Sequence, residues 1–402
     1  MSPTPDAIAA LRTPEGSSAL AAAAAAAGGD PLTAASALRT AGIAPGLAAA
    51  ALTQVELRAR AVDKFGSDAA GMWFTRTGLE QATRAVVARR RATRLAAAGA
   101  THVADLGCGI GSDTIAFARA GLRVTAVDVD ATTASIAAAN VADLGLTDLA
   151  TVRHAAAADV DLRTVDAAFA DPARRGGGRR VFNPAAYAPP WTYVMSIVDA
   201  VQRTVLKVAP GIDHALVPNG AEAEWVSVDG DVVEATLWCG PLANVARRAT
   251  LLSGAGSVEL VGTGTAVAPV GPIGGYVYDP DGAVVRAHLV AEFAGTVDGR
   301  LGDASIAYVY ADAPMHTRYA RGYQVLDAMP FSLKRLRAEL RARDVGRVTI
   351  KKRGSAIEPQ QLRRDLQLRG HAELTVILTR VAGAPTVVLC SPVPPSGSPA
   401  RC

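Results

Sequence analysis

The chain has 402 residues, half of them hydrophobic but only 5% aromatic, and its 41 Lys+Arg against 37 Asp+Glu leave a formal charge of +4. That length allows two or three domains with cores built mainly from Ala, Val and Leu, and so small a total charge excludes any argument for partners except from where the charge sits. The four cysteines, Cys108, Cys239, Cys390 and Cys402, have neither C-x-x-C spacing nor a disulfide framework; a reducing compartment and no metal site are expected.

Residues 1–98 read as an N-terminal helical region, broken at Gly28-Gly-Asp-Pro31 and Pro45-Gly46. The alanine run Ala21–Ala27 lacks the basic flank of a signal sequence, and no apolar stretch is long enough to span a membrane, so a soluble, cytoplasmic protein is expected. A longer helix is predicted over Gly78–Ala98. Leu79, Ala82, Val86, Val87 and Leu95 make its apolar face, and Arg84, Arg89, Arg90, Arg91 and Arg94 crowd the rest. That arginine run is either a solvated face or a phosphate-contacting one. Thr75–Gln81, just ahead of it, could close over a ligand.

The segment 99–255 alternates strands and helices. Strands are predicted at His102–Leu106, Arg123–Asp128, Thr151–His154, Val165–Ala170, His214–Val217, Val232–Trp238 and Arg248–Leu252, with helices over Asp113–Ala120 and Ala131–Leu144, each stopped by a glycine. Such alternation makes a parallel sheet with helices on both faces. The last two strands, joined by Cys239–Arg247, suggest a terminal hairpin. The fold class expected is α/β, a Rossmann-like seven-stranded methyltransferase core.

Within that segment Val103-Ala-Asp-Leu-Gly-Cys-Gly-Ile-Gly-Ser-Asp113 reads as a strand, a glycine turn and a helix start, and Ala126-Val-Asp128 ends the next strand. Gly107, Gly109 and Gly111 allow close backbone approach to a ligand, and Asp128 is placed to accept from ribose hydroxyls. The spacing is D-x-G-x-G-x-G rather than G-x-G-x-x-G. Asp105, two positions before the first glycine, suits an amino-acid ammonium and repels a diphosphate, which points to S-adenosylmethionine; a plain structural turn is the alternative. Asp113 either contacts the ligand or caps its helix. Asp159 either receives the adenine amino group or is an ordinary loop acid. His102, His154 and His214 read as structural.

The fourth strand ends in Phe169-Ala-Asp171-Pro172-Ala173-Arg174. Ligands of open α/β sheets lie at the carboxyl ends of strands. In the D-P-P-[YF] turn of amino-methyltransferases a side-chain oxygen and a backbone carbonyl accept from the acceptor amine, and Asp171-Pro172 offers a parallel. Ala173 and Arg174 depart from it. Arg174 could stack on a base or pair with a phosphate, or the stacking ring could come from Phe182, Tyr187 or Trp191. The alternatives are a helix-initiating turn for Asp171-Pro172 and plain packing for Tyr187 and Trp191.

Residues 256–392 read as a smaller α/β domain with strand-like AYVYAD, a helix in SLKRLRAELRARD, the basic strand RVTIKKRG, a helix in EPQQLRRDLQLRG and a closing hairpin. Lys351, Lys352 and Arg353 stand consecutively there as candidate phosphate contacts. The tail 393–402 is Pro/Ser-rich and expected to be disordered.

Taken together, FTRTGLEQAT, VADLGCGIGSDT, AVDVD, FADPARR, AEWVSV, RRATLL and RVTIKKRG resemble the class I S-adenosylmethionine-dependent methyltransferases that carry a C-terminal THUMP-like domain. The resemblance covers nearly all of the chain after about residue 50. It implies that Asp105, Gly107, Gly109, Gly111 and Asp128 hold the methyl donor and that Asp171–Arg174 face the acceptor. The appended domain is named for likeness to an RNA-binding module, so tRNA or rRNA is the expected partner and a base nitrogen the expected acceptor. A small-molecule or protein methyltransferase, and a catalytically weak RNA-binding protein that keeps the fold, are the competing readings.

Overall fold

The structure, a computed structural model, describes residues 5–28, 30–174 and 187–393. Arg175 and Phe182 lie outside them, as does all of the expected tail except Val393. For Arg174 and Tyr187 the backbone alone is described. Two compact units divide the chain, the first comprising residues 1–208, 213–221 and 237–243, the second 209–212, 222–236 and 244–402.

The first unit opens with α1 (Pro5–Leu11), α2 (Pro14–Ala25), α3 (Pro31–Thr40) and α4 (Pro45–Phe65). Proline at the first helical position starts the last three, where its missing N–H costs nothing. Thr13 and Asp30 cap α2 and α3 by accepting from backbone amides. Leu11, Ala19, Ala51, Leu57 and Phe74 are fully buried in the core these helices form.

The helix expected over Gly78–Ala98 is two helices, α5 (Arg76–Gln81) and α6 (Ala85–Ala97). Ala82 and Arg84 take extended ψ values of 138° and 137°. The Lys64 ammonium holds the break by donating to the carbonyls of Leu79, Glu80 and Ala82 at 2.6, 2.7 and 3.1 Å, while the Thr83 carbonyl accepts from Ser112 Oγ at 2.7 Å. Long-range partners for four carbonyls outweigh the helical propensity of the intervening residues.

Strands β1 (His102–Leu106), β2 (Arg123–Asp128), β3 (Ala150–His154), β4 (Ala167–Ala170) and β7 (Arg203–Val208) are parallel neighbours in the order β3-β2-β1-β4-β7. Helices α7 (Ser112–Arg119) and α8 (Ala131–Asp143) link β1 to β2 and β2 to β3, and α9 (Trp191–Ala200) precedes β7. Order reverses at β1, whose one neighbour is β2 and other β4, and this switch point is where such sheets bind ligands. A two-residue ribbon, β5 (Ala173–Arg174) against β6 (Tyr187–Ala188), follows β4.

Two strand expectations fail here. His214–Val217 is not a strand: Asp213 accepts from the Ala215 amide and closes a 3-10 turn over His214–Leu216. The hairpin expected between Val232–Trp238 and Arg248–Leu252 does not form either. The sheet continues as β7-β9-β8-β10-β11, with β8 (Glu222–Val228), β9 (Asp231–Trp238), β10 (Arg247–Ser253) and β11 (Gly256–Gly262). The mixed sheet thus has nine strands, and β10 lies parallel to β8 and antiparallel to β11.

The rest of the second unit holds α10 (Gly282–Arg286), α11 (Val290–Thr296) and a seven-stranded sheet in the order β13-β14-β12-β15-β18-β17-β16. Its strands are β12 (Tyr276–Pro280), β13 (Arg300–Leu301), β14 (Val309–Ala311), β15 (Ala320–Pro330), β16 (Val345–Lys352), β17 (Ala372–Val381) and β18 (Ala384–Pro392). Helices α12 (Leu333–Ala342) and α13 (Pro359–Leu366) bury Leu336, Leu340, Leu362 and Leu366 against Val376, Leu378, Val387 and Leu389. Tyr308, Tyr310, Tyr323, Ile377 and Val388 pack in a separate cluster of the same unit. No helix among the described residues is long and apolar enough to cross a membrane.

Candidate functional site

The carboxyl end of β1 carries the glycine turn. Gly107 and Cys108 donate their amides to the Val127 carbonyl at 2.9 Å, tying the turn to the end of β2. Gly107, Gly109 and Gly111 have φ of 91°, 58° and 88°, a region that penalises a Cβ. A Cβ at Gly107 would stand 3.4 Å from the Asp171 carbonyl oxygen, and one at Gly111 3.4 Å from the Ala137 side chain. The turn is therefore a cradle kept clear of side chains. Asp128 Oδ2 accepts from the Gly109 amide at 3.0 Å and Oδ1 from the Asp130 amide at 2.9 Å, and burial above all pushes its carboxyl above the usual range.

Asp105, paired in register with Ala126 and Phe169, is fully buried. Thr114 Oγ1 donates to its Oδ2 at 2.5 Å, and its Oδ1 has no partner among the described residues. Burial, reinforced by the neighbouring Asp113 and Asp171, pushes this carboxyl up to about 8. An orphaned, buried acceptor beside an open glycine cradle is what a ligand's ammonium would complete. On these grounds the residues present fit S-adenosylmethionine.

Asp113 is spent differently. It is buried in the first turn of α7 and forms an ion pair with Arg91 of α6. The Arg91 guanidinium also stands 4.5 Å from the Phe169 ring centre. Arg94 lies 3.9 Å from the Trp238 ring and donates to the Leu242 carbonyl at 2.6 Å. Arg91 therefore belongs to no solvated or phosphate-facing surface, and Arg94 is half-buried against Trp238. The i, i+3 spacing of 91 and 94 was the one sign available that both share a helix face.

Asp171 follows β4, its amide reaching back to the Leu106 carbonyl. Its Oδ2 pairs with Lys207 Nζ at 2.6 Å, and about a third of its side chain stays exposed. Lys207 sits on β7, the neighbour of β4, and the sequence reading missed it altogether. Lys64, whose ammonium burial pushes down to about 8 with help from the nearby charges of Arg84 and Lys207, adds a second cation to these surroundings. Asp171 and Gly107 thus come together at the carboxyl ends of β4 and β1, with Asp105, Asp128 and Gly109 nearby.

Asp159 is exposed and accepts from the Ala156 amide at 3.0 Å in a 3-10 turn. Pro172 is buried, and Trp191 begins α9, half-buried. His102 contacts Thr125 Oγ1 and His154 the Val129 carbonyl. In the second unit, Asp279 on β12 takes both Lys351 at 2.8 Å and Arg353 at 2.9 Å, and Lys352 pairs with Glu358 at 2.5 Å. All three of these expected phosphate contacts already have a carboxylate. Among the described residues no group of His, Cys, Asp and Glu could hold a metal ion. Cys108, Cys239 and Cys390 are buried, and burial pushes their thiols up, the latter two to about 12.

Three family models match the chain: a methyltransferase domain over residues 103–172, a THUMP domain-like model over 320–392 and a domain of unknown function over 4–61. An uncharacterized S-adenosylmethionine-dependent methyltransferase of Mycobacterium tuberculosis, found in two strains, is 37% identical over 354 residues, 84% of this chain and 95% of that protein. The 23S rRNA (uracil(1939)-C(5))-methyltransferase of Acidithiobacillus ferrooxidans is 34% identical over 108 residues, 25% of this chain and 24% of that one. A crystal structure of a methyltransferase candidate from Porphyromonas gingivalis W83 superposes with a TM-score of 0.72 at 22% identity, covering 88% of this chain and 92% of that one. That last likeness is one of fold.

Proposed function

The chain belongs to the S-adenosylmethionine-dependent methyltransferases with a C-terminal THUMP-like domain, and from that premise we propose that it methylates a base nitrogen of tRNA or rRNA. The observation that carries the reading is the position of Asp171, whose carbonyl lies against the cradle at Gly107 while its carboxylate stays partly open. Two acceptors at that place can take the two protons of an exocyclic amine and leave the nitrogen lone pair directed at the donor. S-adenosylmethionine supplies, when bound, a methyl group made electrophilic by its sulfonium. Positioning then does most of the work, because in-line displacement needs little acid–base help.

Lys207 fixes one oxygen of Asp171 and leaves the other for the acceptor. Asp105 and Asp128 are the residues assigned to the donor's ammonium and ribose, with Gly107, Gly109 and Gly111 clearing the space between. Transfer to a pyrimidine carbon would require a nucleophile to activate the ring, and the thiols among the described residues, Cys108, Cys239 and Cys390, are buried and held protonated. The carbon chemistry named for the rRNA-modifying relative is therefore not carried over.

RNA as the acceptor rests on the THUMP domain-like match over 320–392 and on the partial similarity to an rRNA methyltransferase. In this reading residues 1–98 form a helical region, 99–255 hold the donor and 256–392 grip the RNA. Tritiated S-adenosylmethionine incubated with the protein and total RNA should give label that nuclease removes. Asp171→Ala should abolish that label while leaving donor binding within about twofold. Label that resists nuclease would overturn the RNA reading in favour of a protein or small-molecule acceptor. Unchanged turnover in Asp171→Ala would overturn the role given to Asp171.

A further inference from the structure

The formal charge of +4 conceals a strong asymmetry. Between Leu333 and His371 there are twelve Lys+Arg and four Asp+Glu, a net +8, so the rest of the chain carries −4. Part of that excess is neutralised where it stands, since Lys351, Arg353 and Lys352 are paired as described and Arg343 and Arg347 have carboxylate partners in Glu339 and Glu373. What is left is concentrated on two helices. Leu336, Leu340, Leu362 and Leu366 turn one face of α12 and α13 into the core, and Arg337 of α12 donates to the Asp365 carbonyl of α13, holding the two side by side. The opposite face exposes Lys334, Arg335 and Arg341 on α12, Arg363 and Arg364 on α13, and Arg369 just beyond. None of these six forms an ion pair among the described residues, and Glu339, the one acid of α12, is paired with Arg343.

We propose that the solvent face of α12 and α13 is the surface on which the phosphate backbone of an RNA docks, in place of the Lys351–Arg353 strand. The proposal rests on the RNA reading above and specifies where the second unit would grip. Five of the six cations are guanidinium groups, whose planar forks suit bidentate contact with phosphate oxygens. An anionic membrane would also attract them, but a helix that binds a membrane keeps an apolar face to insert. Here the apolar faces are buried, and none of the large exposed hydrophobic residues lies between 333 and 371. The paired cations are the weaker candidates, because each would have to leave a carboxylate before meeting a phosphate.

The test uses the full chain and fluorescently labelled total tRNA, with anisotropy measured over a range of potassium chloride. The triple variant Arg335→Gln/Arg341→Gln/Arg364→Gln should bind at least tenfold more weakly than the parent and lower the slope of log affinity against log salt by about 2, the loss of some three phosphate contacts. A charge-matched control, Arg39→Gln/Arg123→Gln/Arg163→Gln, should stay within about twofold. The single reversal Lys334→Glu gives the same sign with the least change to the helix, and an unaltered melting curve shows that each variant is folded. If the parent binds tRNA and the triple behaves like the control, the surface is wrong while the RNA reading stands. A parent that ignores tRNA, or that prefers phosphatidylserine vesicles to it, overturns the surface; the RNA reading falls with it only if total RNA also takes no nuclease-sensitive label.

Discussion

With the donor's ammonium at Asp105, as proposed, a single buried carboxyl would make donor binding sensitive to pH. Asp105 is fully buried, keeps one oxygen without a partner and is pushed up to about 8, chiefly by burial. Its folded value therefore lies above its unfolded one, so between about pH 4 and 8 the folded chain holds a proton that the unfolded chain has lost. Whatever stability this carboxyl contributes is present at low pH and disappears as pH rises through that window. A bound ammonium reverses the preference and draws the proton off. Affinity for S-adenosylmethionine should therefore rise between pH 6 and pH 8, by at most about tenfold per unit, and calorimetry in buffers of different ionisation heat should detect proton release on binding. Asp105→Asn, which cannot release that proton, should flatten the profile. A flat profile in the parent chain would mean that the ligand's charge does not reach Asp105.

Packing between elements explains both what the sequence made legible and what it hid. The glycine turn, β1, β2, α7 and α8 were readable because alternation of apolar strand and amphipathic helix is strong there and the turn residues are unambiguous. β7 and β8 were missed because their charges break the apolar run expected of a central strand. In β7, Arg203 donates to the Ala98 carbonyl and Lys207 to Asp171. In β8, Glu222 and Glu224 are fully buried, satisfied by Arg248 and Thr250. Each of those partners is distant in sequence, so no local pattern announces it. The Arg91–Asp113 pair joins α6 to α7 in the same way. Arg91→Ala would leave Asp113 buried without its cation, and should cost about 3–5 kcal/mol, whereas Arg91→Met with Asp113→Leu should cost much less. Chemical denaturation of both variants checks this. Equal losses in the two would show that the guanidinium matters for shape rather than for charge.

Across the whole molecule, donor binding and folding are linked by mass action, which tests the donor site independently of the acceptor. A ligand that binds only the folded state at a hundred times its Kd stabilises by about 2.7 kcal/mol. Saturating S-adenosylmethionine should therefore raise the thermal transition of the parent chain. Asp128 is half-buried and is held by the Gly109 and Asp130 amides at the lip of the cradle, which leaves its outer lone pairs for ribose hydroxyls. Hydrogen bonds to a charged acceptor contribute about 1.5–3 kcal/mol each, so Asp128→Ala should weaken the donor by roughly a hundredfold. At the same donor concentration the stabilisation then falls to about 0.4 kcal/mol, and the thermal shift nearly vanishes. Scanning calorimetry with and without donor measures this directly. A parent chain whose transition moves with donor, yet which leaves RNA unlabelled, would point to a small-molecule or protein acceptor; only one that also binds RNA and transfers no methyl group at all would be the RNA-binding protein that retains the fold. One whose transition does not move would refute the donor site built on Asp105, Asp128 and the three glycines, since no contact made elsewhere could replace the free energy they are assigned.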